Sequence, residues 1–269
     1  MLPNYDDPSV DLLGLLDLER IEQDLFRANT VFREISFPGS GQMVALYGGQ
    51  VAAQALRAAG LTVDPDRHPH SLHGYFLRPG DSRLPTVFTV YRDRDGRSYS
   101  ARRVVAIQNG KVIFNMSASF QVGNDQPVEQ LERMPEVLPA DDLREGGLDR
   151  LVSMSVRCPE QPYDRAIWPT RFWARVVPDL PADPLVQACA LAYLSDISAG
   201  VLPAADGSAR PSSSLDHALW FHEPADLNEW VLSDYQPRVT GHGRGWYTGS
   251  IFDRSGNLLA SLAQETLFR

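Results

Sequence analysis

Two polar side chains stand in apolar surroundings along this 269-residue chain, and with a third they are of the types that activate water. In "CALAYLSDISAG" the run Cys189 to Leu194 reads as a buried helix, and Asp196 then arrives with no cationic neighbour. An ionised carboxylate taken out of water without partners costs several kcal/mol, so it protonates or finds donors. In "LLASLAQETLF" Leu258, Ala260, Leu262 and Gln264 alternate onto one strand face, where an amide needs hydrogen-bond partners. Ser214 adds a hydroxyl that both donates and accepts. An acid, an amide and a hydroxyl can fix one water molecule and take its proton, assistance worth roughly 10² to 10⁴ in rate. A quieter reading stands beside it: Asp196 ends its helix, Gln264 satisfies a backbone group and Ser214 is loop.

Other chemistries fit the residues less well. "SSSLDHALWFH" holds Ser214, Asp216 and His217 together, but residues an odd number apart on a regular strand face opposite ways. Ser214 and His217 are therefore not expected to converge, and no G-x-S-x-G elbow occurs. In "RHPHSLH", His68 and His70 could share a face, yet Pro69 interrupts the strand and no third ligand sits at a metal-binding spacing. His222, alternating with Trp220, reads as a half-buried polar residue. "GHGRGWYTG" precedes a strand rather than a helix, which removes the dinucleotide reading. "YGGQVAAQAL" does open a helix, and the Gly48, Gly49 and Gln50 amides could hold an anion or a carbonyl oxygen. Close helix-to-sheet packing explains those glycines equally well.

These residues need elements to position them, and the elements come twice. The N-terminal half reads as a short amphipathic helix at 9–19, a strand in "RIEQDLFRAN", a Gly/Pro stretch at 36–42 and a helix from Gly48 to Gly60. Four strands follow: "HSLHGYFL", "PTVFTVYR", "RSYSARRVVAIQ" and "KVIFNMSASFQ", the last pair joined by an Asn109-Gly110 hairpin signal. After a Pro/Glu/Asp-rich segment the order repeats, with "RFWARVV", a helix in "DPLVQACALAYLSDISAG", and strands in "SSLDHALWFHEP", "EWVLSDYQPRV", "GRGWYTGSIFD" and "NLLASLAQETLF". The turns ending at Asp81 and Asp226 are 145 residues apart, and Gly110 and Gly256 are 146 apart. Two landmarks with nearly one offset indicate a duplicated unit. The expected domains are 1–122, a surface linker at 123–165 with room for a helical turn or two, and 166–269. The expected class is α+β, each repeat a helix wrapped by a curved antiparallel sheet.

Bulk properties narrow the partners. A formal charge of −9 argues against nucleic acid, which demands a concentrated basic surface. No apolar run reaches the roughly 18 to 20 residues that span a bilayer, so no membrane insertion is expected. The opening "MLPNYDDPSVDLLGLL" is acidic, unlike a secretion signal, and the final "ETLFR" is not a peroxisomal address. The two cysteines, Cys158 and Cys189, stand outside any ligand spacing. A cytoplasmic location is the expectation.

Over nearly its whole length, from "LLDLERIEQDLFRA" to "SLAQETLFR", the sequence resembles the acyl-CoA thioesterase II family. The stretches that carry the likeness are "YGGQVAAQAL", "HSLHGYFLRPGD", "GRSYSARRVVAIQNGKVIFNMSASFQ", "LAYLSD", "LDHALWFHEP" with "LNEW", and "LAQE". The resemblance implies a double hotdog fold and hydrolysis of medium- to long-chain fatty acyl-CoA to fatty acid and CoA, with no metal or organic cofactor. It implies Asp196 as the base, with Ser214 and Gln264 holding the water, and association of double hotdogs into dimers or tetramers. Family members often carry threonine at Ser214, and a longer apolar stretch where this chain reads Ile197, Ser198, Ala199 and Gly200. Arg97, Arg102, Arg103 and Arg244 could meet the CoA phosphates, though arginines on solvated strand faces are equally expected. Two other functions share the fold expectation: a non-catalytic acyl-CoA binding protein, and a hotdog enoyl-CoA hydratase, whose base is usually a histidine in the helix region. No histidine occurs between 183 and 200.

Overall fold

Small side chains let two helices approach one another at the centre of this molecule, and a long curved sheet closes around them. The computed structural model describes residues 11–28, 45–123, 126–146, 148, 151, 153–197, 200–203, 207 and 211–268. The Gly/Pro stretch at 36–42 and the pair Ser198 and Ala199 lie outside the described residues.

In chain order the N-terminal half holds α1 (Leu12–Leu16), β1 (Leu18–Glu22), β2 (Leu25–Ala28), α2 (Gly48–Gly60), β3 (Arg67–Phe76), β4 (Thr86–Asp95), β5 (Tyr99–Gln108) and β6 (Lys111–Val122). The C-terminal half holds β7 (Met154–Arg157), β8 (Arg171–Val176), α3 (Pro184–Ser195), β9 (Pro211–Ser214), β10 (Asp216–Phe221), β11 (Val231–Gly241), β12 (Arg244–Phe252) and β13 (Leu258–Phe268). The strands form one antiparallel sheet in the order β1-β2-β4-β5-β6-β3-β10-β13-β12-β11-β8-β7, with β9 beside β13. The β3–β10 pairing, from Asp216 opposite Tyr75 to Trp220 opposite Ser71, joins the halves. The expected double hotdog is thus present, with α2 and α3 enclosed by the two halves of the sheet and a single apolar core running through both.

Two local readings are corrected. "RIEQDLFRAN" is a hairpin rather than one strand, because Gln23 and Asp24 turn the chain between β1 and β2. The segment 123–165 contains a 3₁₀ turn at Ala140–Asp142 and the edge strand β7, paired to β8. It is tied to the outer face of the C-terminal half: Gln130 bonds the Gly256 carbonyl at 2.8 Å, Trp173 Nε1 donates to Leu138 O at 3.0 Å, and Ala140 packs with Trp173, Trp230 and Leu232. The helix read within "DPLVQACALAYLSDISAG" spans Pro184–Ser195, with Asp196 directly after it.

The helices lie antiparallel. A methyl group built on Gly49, near the start of α2, would run into the Tyr193 carbonyl oxygen near the end of α3, and one on Gly60 would meet Leu185. Arg57 and Asp183 approach to 3.6 Å at that second end. The start of α2 therefore faces the finish of α3. Among the described residues no helix is long and apolar enough to cross a membrane.

The close approach can be tested at Gly49. Alanine favours a helix over glycine by about 1 kcal/mol, yet here the added methyl meets backbone that cannot move aside. Gly49→Ala should destabilise the fold by about 1–3 kcal/mol in denaturant titration. A variant as stable as the parent would contradict the tight apposition.

Candidate active site

The antiparallel helices bring Asp196, directly after α3, against the first residues of α2. Its carboxyl oxygen Oδ2 occupies the space where a side chain on Gly48 would begin, and the Phe76 ring borders the same space. Asp196 is buried, only 3% exposed. Its Oδ1 accepts hydrogen bonds from Gln264 Nε2 at 2.5 Å and Ser214 Oγ at 3.1 Å. Gln264 Nε2 also donates to Ser214 Oγ at 2.5 Å. The three residues singled out from sequence thus form a closed triangle, drawn from a helix end and two strands.

A bulge at Leu215 puts Ser214 there. On β13, β9 pairs Ser214 with Thr266, whereas β10 pairs Ala218 with Ala263. The register slips by one residue between them, as a β-bulge requires. Ser214 opposite Thr266 shares the inward face with Gln264; a regular strand would have turned it outward. The bulge is pinned by Leu215 N donating to Glu265 O at 2.9 Å and by the Asp216 carboxylate accepting the Glu265 N–H at 2.7 Å.

That slip overturns the expectation that Ser214 and His217 cannot converge. Both reach Gln264, from opposite ends of its amide. His217 Nδ1 lies 2.9 Å from Gln264 Oε1, and Tyr247 donates its hydroxyl to the same oxygen at 2.8 Å. On its far side His217 Nε2 lies 2.7 Å from Ser195 Oγ. His217 and Tyr247 were not among the residues singled out from sequence as parts of the site; the alternation His217-x-Leu219 on an inward face was the available signal for the first. Burial holds the His217 ring far below its ordinary range, to about 4, against a smaller opposing effect of the Gln264 bond, so the imidazole is neutral at physiological pH.

The remaining candidates fall elsewhere. Arg102, one of the proposed phosphate contacts, is interior: it bonds Thr62 Oγ1 at 2.8 Å, Thr62 O at 3.0 Å and Asp95 Oδ1 at 2.7 Å, and it serves the N-terminal core instead. Arg97 stands exposed in the β4–β5 turn, Arg103 pairs with Asp93 across the Tyr91 ring, and Arg244 pairs with Glu265 at 2.8 Å. His70 bonds Ser119 Oγ at 2.7 Å, while His73 packs edge-on against Trp220.

The first turn of α2 completes the surroundings of Asp196. Among the described residues no side chain is seen to cap this helix, Tyr47 at the N-cap included, and its first internal bond is Val51 N to Tyr47 O. The amides of Gly48, Gly49 and Gln50 lie before the start of the helical ladder, at the positive end of the helix dipole.

Comparison with known proteins gives one consistent answer. Residues 37–121 match the acyl-CoA thioesterase N-terminal domain model, and residues 128–268 match the acyl-CoA thioesterase C-terminal domain model. The chain is 33% identical to acyl-coenzyme A thioesterase 8 of Mus musculus, over 97% of this chain and 89% of that protein. It is 32% identical to acyl-CoA thioesterase 2 of Haemophilus influenzae, over 96% of this chain and 97% of that one. Among solved structures, an acyl-CoA thioesterase II of Mycobacterium marinum superimposes with a TM-score of 0.79 at 38% identity, covering 96% of each chain. A hot dog fold protein of Alicyclobacillus acidocaldarius, at 20% identity and a TM-score of 0.71, shares the fold.

The buried imidazole makes stability depend on pH with a definite sign. In the unfolded chain His217 takes up a proton near pH 6.5, whereas in the folded chain it resists until about 4. Stability is therefore full above 6.5, falls as pH drops through this window, and levels off below it; the loss is on the order of 3 kcal/mol. Burial lowers His70 and His222 in the same direction. Denaturant midpoints between pH 7 and 4 should fall less steeply in His217→Leu than in the parent; identical slopes would refute the neutral buried ring.

Proposed function

The chain belongs to the acyl-CoA thioesterase family, and from that premise we propose that it hydrolyses medium- to long-chain fatty acyl-CoA by direct attack of water, with Asp196 as general base. The observation that carries this reading is the Asp196–Ser214–Gln264 triangle set against the start of α2. Asp196 offers the carboxylate that removes a proton, while a hydroxyl and an amide fix its orientation and that of a water beside it. Amides in the first turn of α2 are suited to the oxyanion that develops as water adds to the thioester carbonyl, a contribution often worth a few kcal/mol.

The reaction then runs in two steps. The water oxygen bonds to the carbonyl carbon as one water proton passes to Asp196, giving a tetrahedral oxyanion. The oxyanion collapses, the carbon–sulfur bond breaks, and the leaving sulfur takes the proton back from Asp196. Fatty acid and free CoA thiol result, and no covalent acyl-enzyme forms. The Phe76 ring beside Gly48, with Phe114 packed behind it at 4.8 Å, suits a hydrocarbon tail better than a polar acyl group.

Release of free thiol from palmitoyl-CoA, followed with a thiol reagent, tests the reading. Asp196→Asn should lower kcat by about 10² to 10⁴ while leaving the thermal midpoint nearly unchanged. Ser214→Ala should cost less, and Ser214→Thr should retain activity because it keeps the hydroxyl. Near-normal turnover by Asp196→Asn would end the base assignment; tight acyl-CoA binding without thiol release by the parent would make the protein a binder.

A further inference from the structure

The duplicated unit provides its own control for the site. His217 and Gln264 sit next to the Ala218–Ala263 pair that joins β10 to β13. The repeat offsets of 145 and 146 residues carry them onto Leu72 and Ala118, which face each other across β3 and β6. All four side chains are buried on the inward face. In the first half the fold fills this position with leucine and alanine. In the second it holds an imidazole and a carboxamide, whose burial is costly unless each polar atom is bonded. Packing alone does not call for the polar pair.

We propose that His217 is a positioning residue that, with Tyr247, locks the Gln264 amide with Nε2 toward Asp196 and Ser214; this rests on the reading of those three residues given above. A carboxamide has two similar ends, and only the nitrogen donates. If the amide turned over, its oxygen would face Asp196 Oδ1, acceptor against acceptor. Two donors hold Oε1 on the other side: the His217 Nδ1–H at 2.9 Å and the Tyr247 hydroxyl at 2.8 Å. With the proton on Nδ1, Nε2 is an acceptor facing the Ser195 hydroxyl at 2.7 Å, which shares its one proton between this ring and Ala192 O. Ser195 directly precedes Asp196, so one ring ties the strand that bears the amide to the helix end that bears the acid.

Removing the ring leaves its partners bonded. Gln264 Oε1 keeps Tyr247, and Ser195 Oγ reaches Ala192 O at 2.9 Å. His217→Leu copies the residue already used at Leu72, so the substitution suits the fold. What it removes is the fixed direction of the amide, and small misplacements of catalytic groups can cost on the order of 10²-fold in rate.

The test is a set of kcat and KM measurements on palmitoyl-CoA with thermal midpoints alongside, for His217→Leu, His217→Asn, Tyr247→Phe, Gln264→Ala and the double variant His217→Leu/Gln264→Ala. His217→Leu should lower kcat about 10- to 100-fold with KM nearly unchanged. His217→Asn, whose Nδ2 can replace the Nδ1–H toward Gln264, should recover much of that loss, and Tyr247→Phe should show a smaller loss of the same kind. On the Gln264→Ala background His217→Leu should change kcat by less than about twofold, because no amide remains to be oriented. The proposal is overturned if His217→Leu keeps near-parental kcat, or if it costs the same factor with and without Gln264. It is also overturned if asparagine and leucine lower kcat and the thermal midpoint alike, the mark of a purely structural residue. If Gln264→Ala itself turns over normally, the parent reading of the triangle has failed, which is a distinguishable result.

Discussion

A carboxylate buried at the C-terminal end of a helix sits where the helix dipole repels it. Asp196 is in that position, and the rest of the site follows from how the molecule compensates. Its donors come from across the sheet, Gln264 and Ser214, and the positive end of α2 is brought up from the opposite direction. The second element depends on the antiparallel lie of α2 on α3, and that lie depends on Gly48 and Gly49, since any side chain there would push the helix start away from Asp196 and Tyr193.

The other pair of helix ends shows what the same frame looks like without that purpose. At the start of α3 the Asp183 side chain accepts the Leu185 and Val186 amides, and Pro184 supplies no N–H at all, so that terminus is already satisfied. At the facing end of α2, Thr62 is bound by Arg102, a buried guanidinium that also bonds Asp95 and two further backbone carbonyls. One pair of ends is closed by capping and an ion pair. The other sets the first turn of α2 against a buried acid. Duplication supplied two equivalent places, and a buried acid held by an amide and a hydroxyl at only one of them fits the proposed chemistry better than packing.

Much of this was legible in the sequence because periodicity reports which face a residue takes. The position of Gln264 in an otherwise apolar alternation, the abrupt Asp196 after six helix-forming residues, and the repeat offsets all survive in the structure. What periodicity cannot report is where it breaks. The Gln23-Asp24 turn carries neither glycine nor proline, so β1 and β2 read as one strand. The Leu215 bulge left no local signature, and the alternation rule therefore placed Ser214 and His217 on opposite faces. Arg102 looked like a surface cation because an arginine in an alternating strand usually is one; its partners Thr62 and Asp95 are 40 and 7 residues away, beyond any local pattern.

The bulge also explains why the contacts of the proposed site are concentrated in so short a stretch. A strand offers one inward residue in two, which would allow either Ser214 or His217 to face Gln264, never both. One extra residue, Leu215, changes the parity, and the ladder bond it disrupts is replaced by the Asp216 carboxylate on the Glu265 amide. Neighbouring residues thus take complementary parts: Ser214 bonds the acid, Asp216 holds the slipped register, and His217 directs the amide. Sliding β9 back by one residue would keep every backbone pairing possible and turn Ser214 outward, so the site depends on register more than on the identity of any one of these side chains.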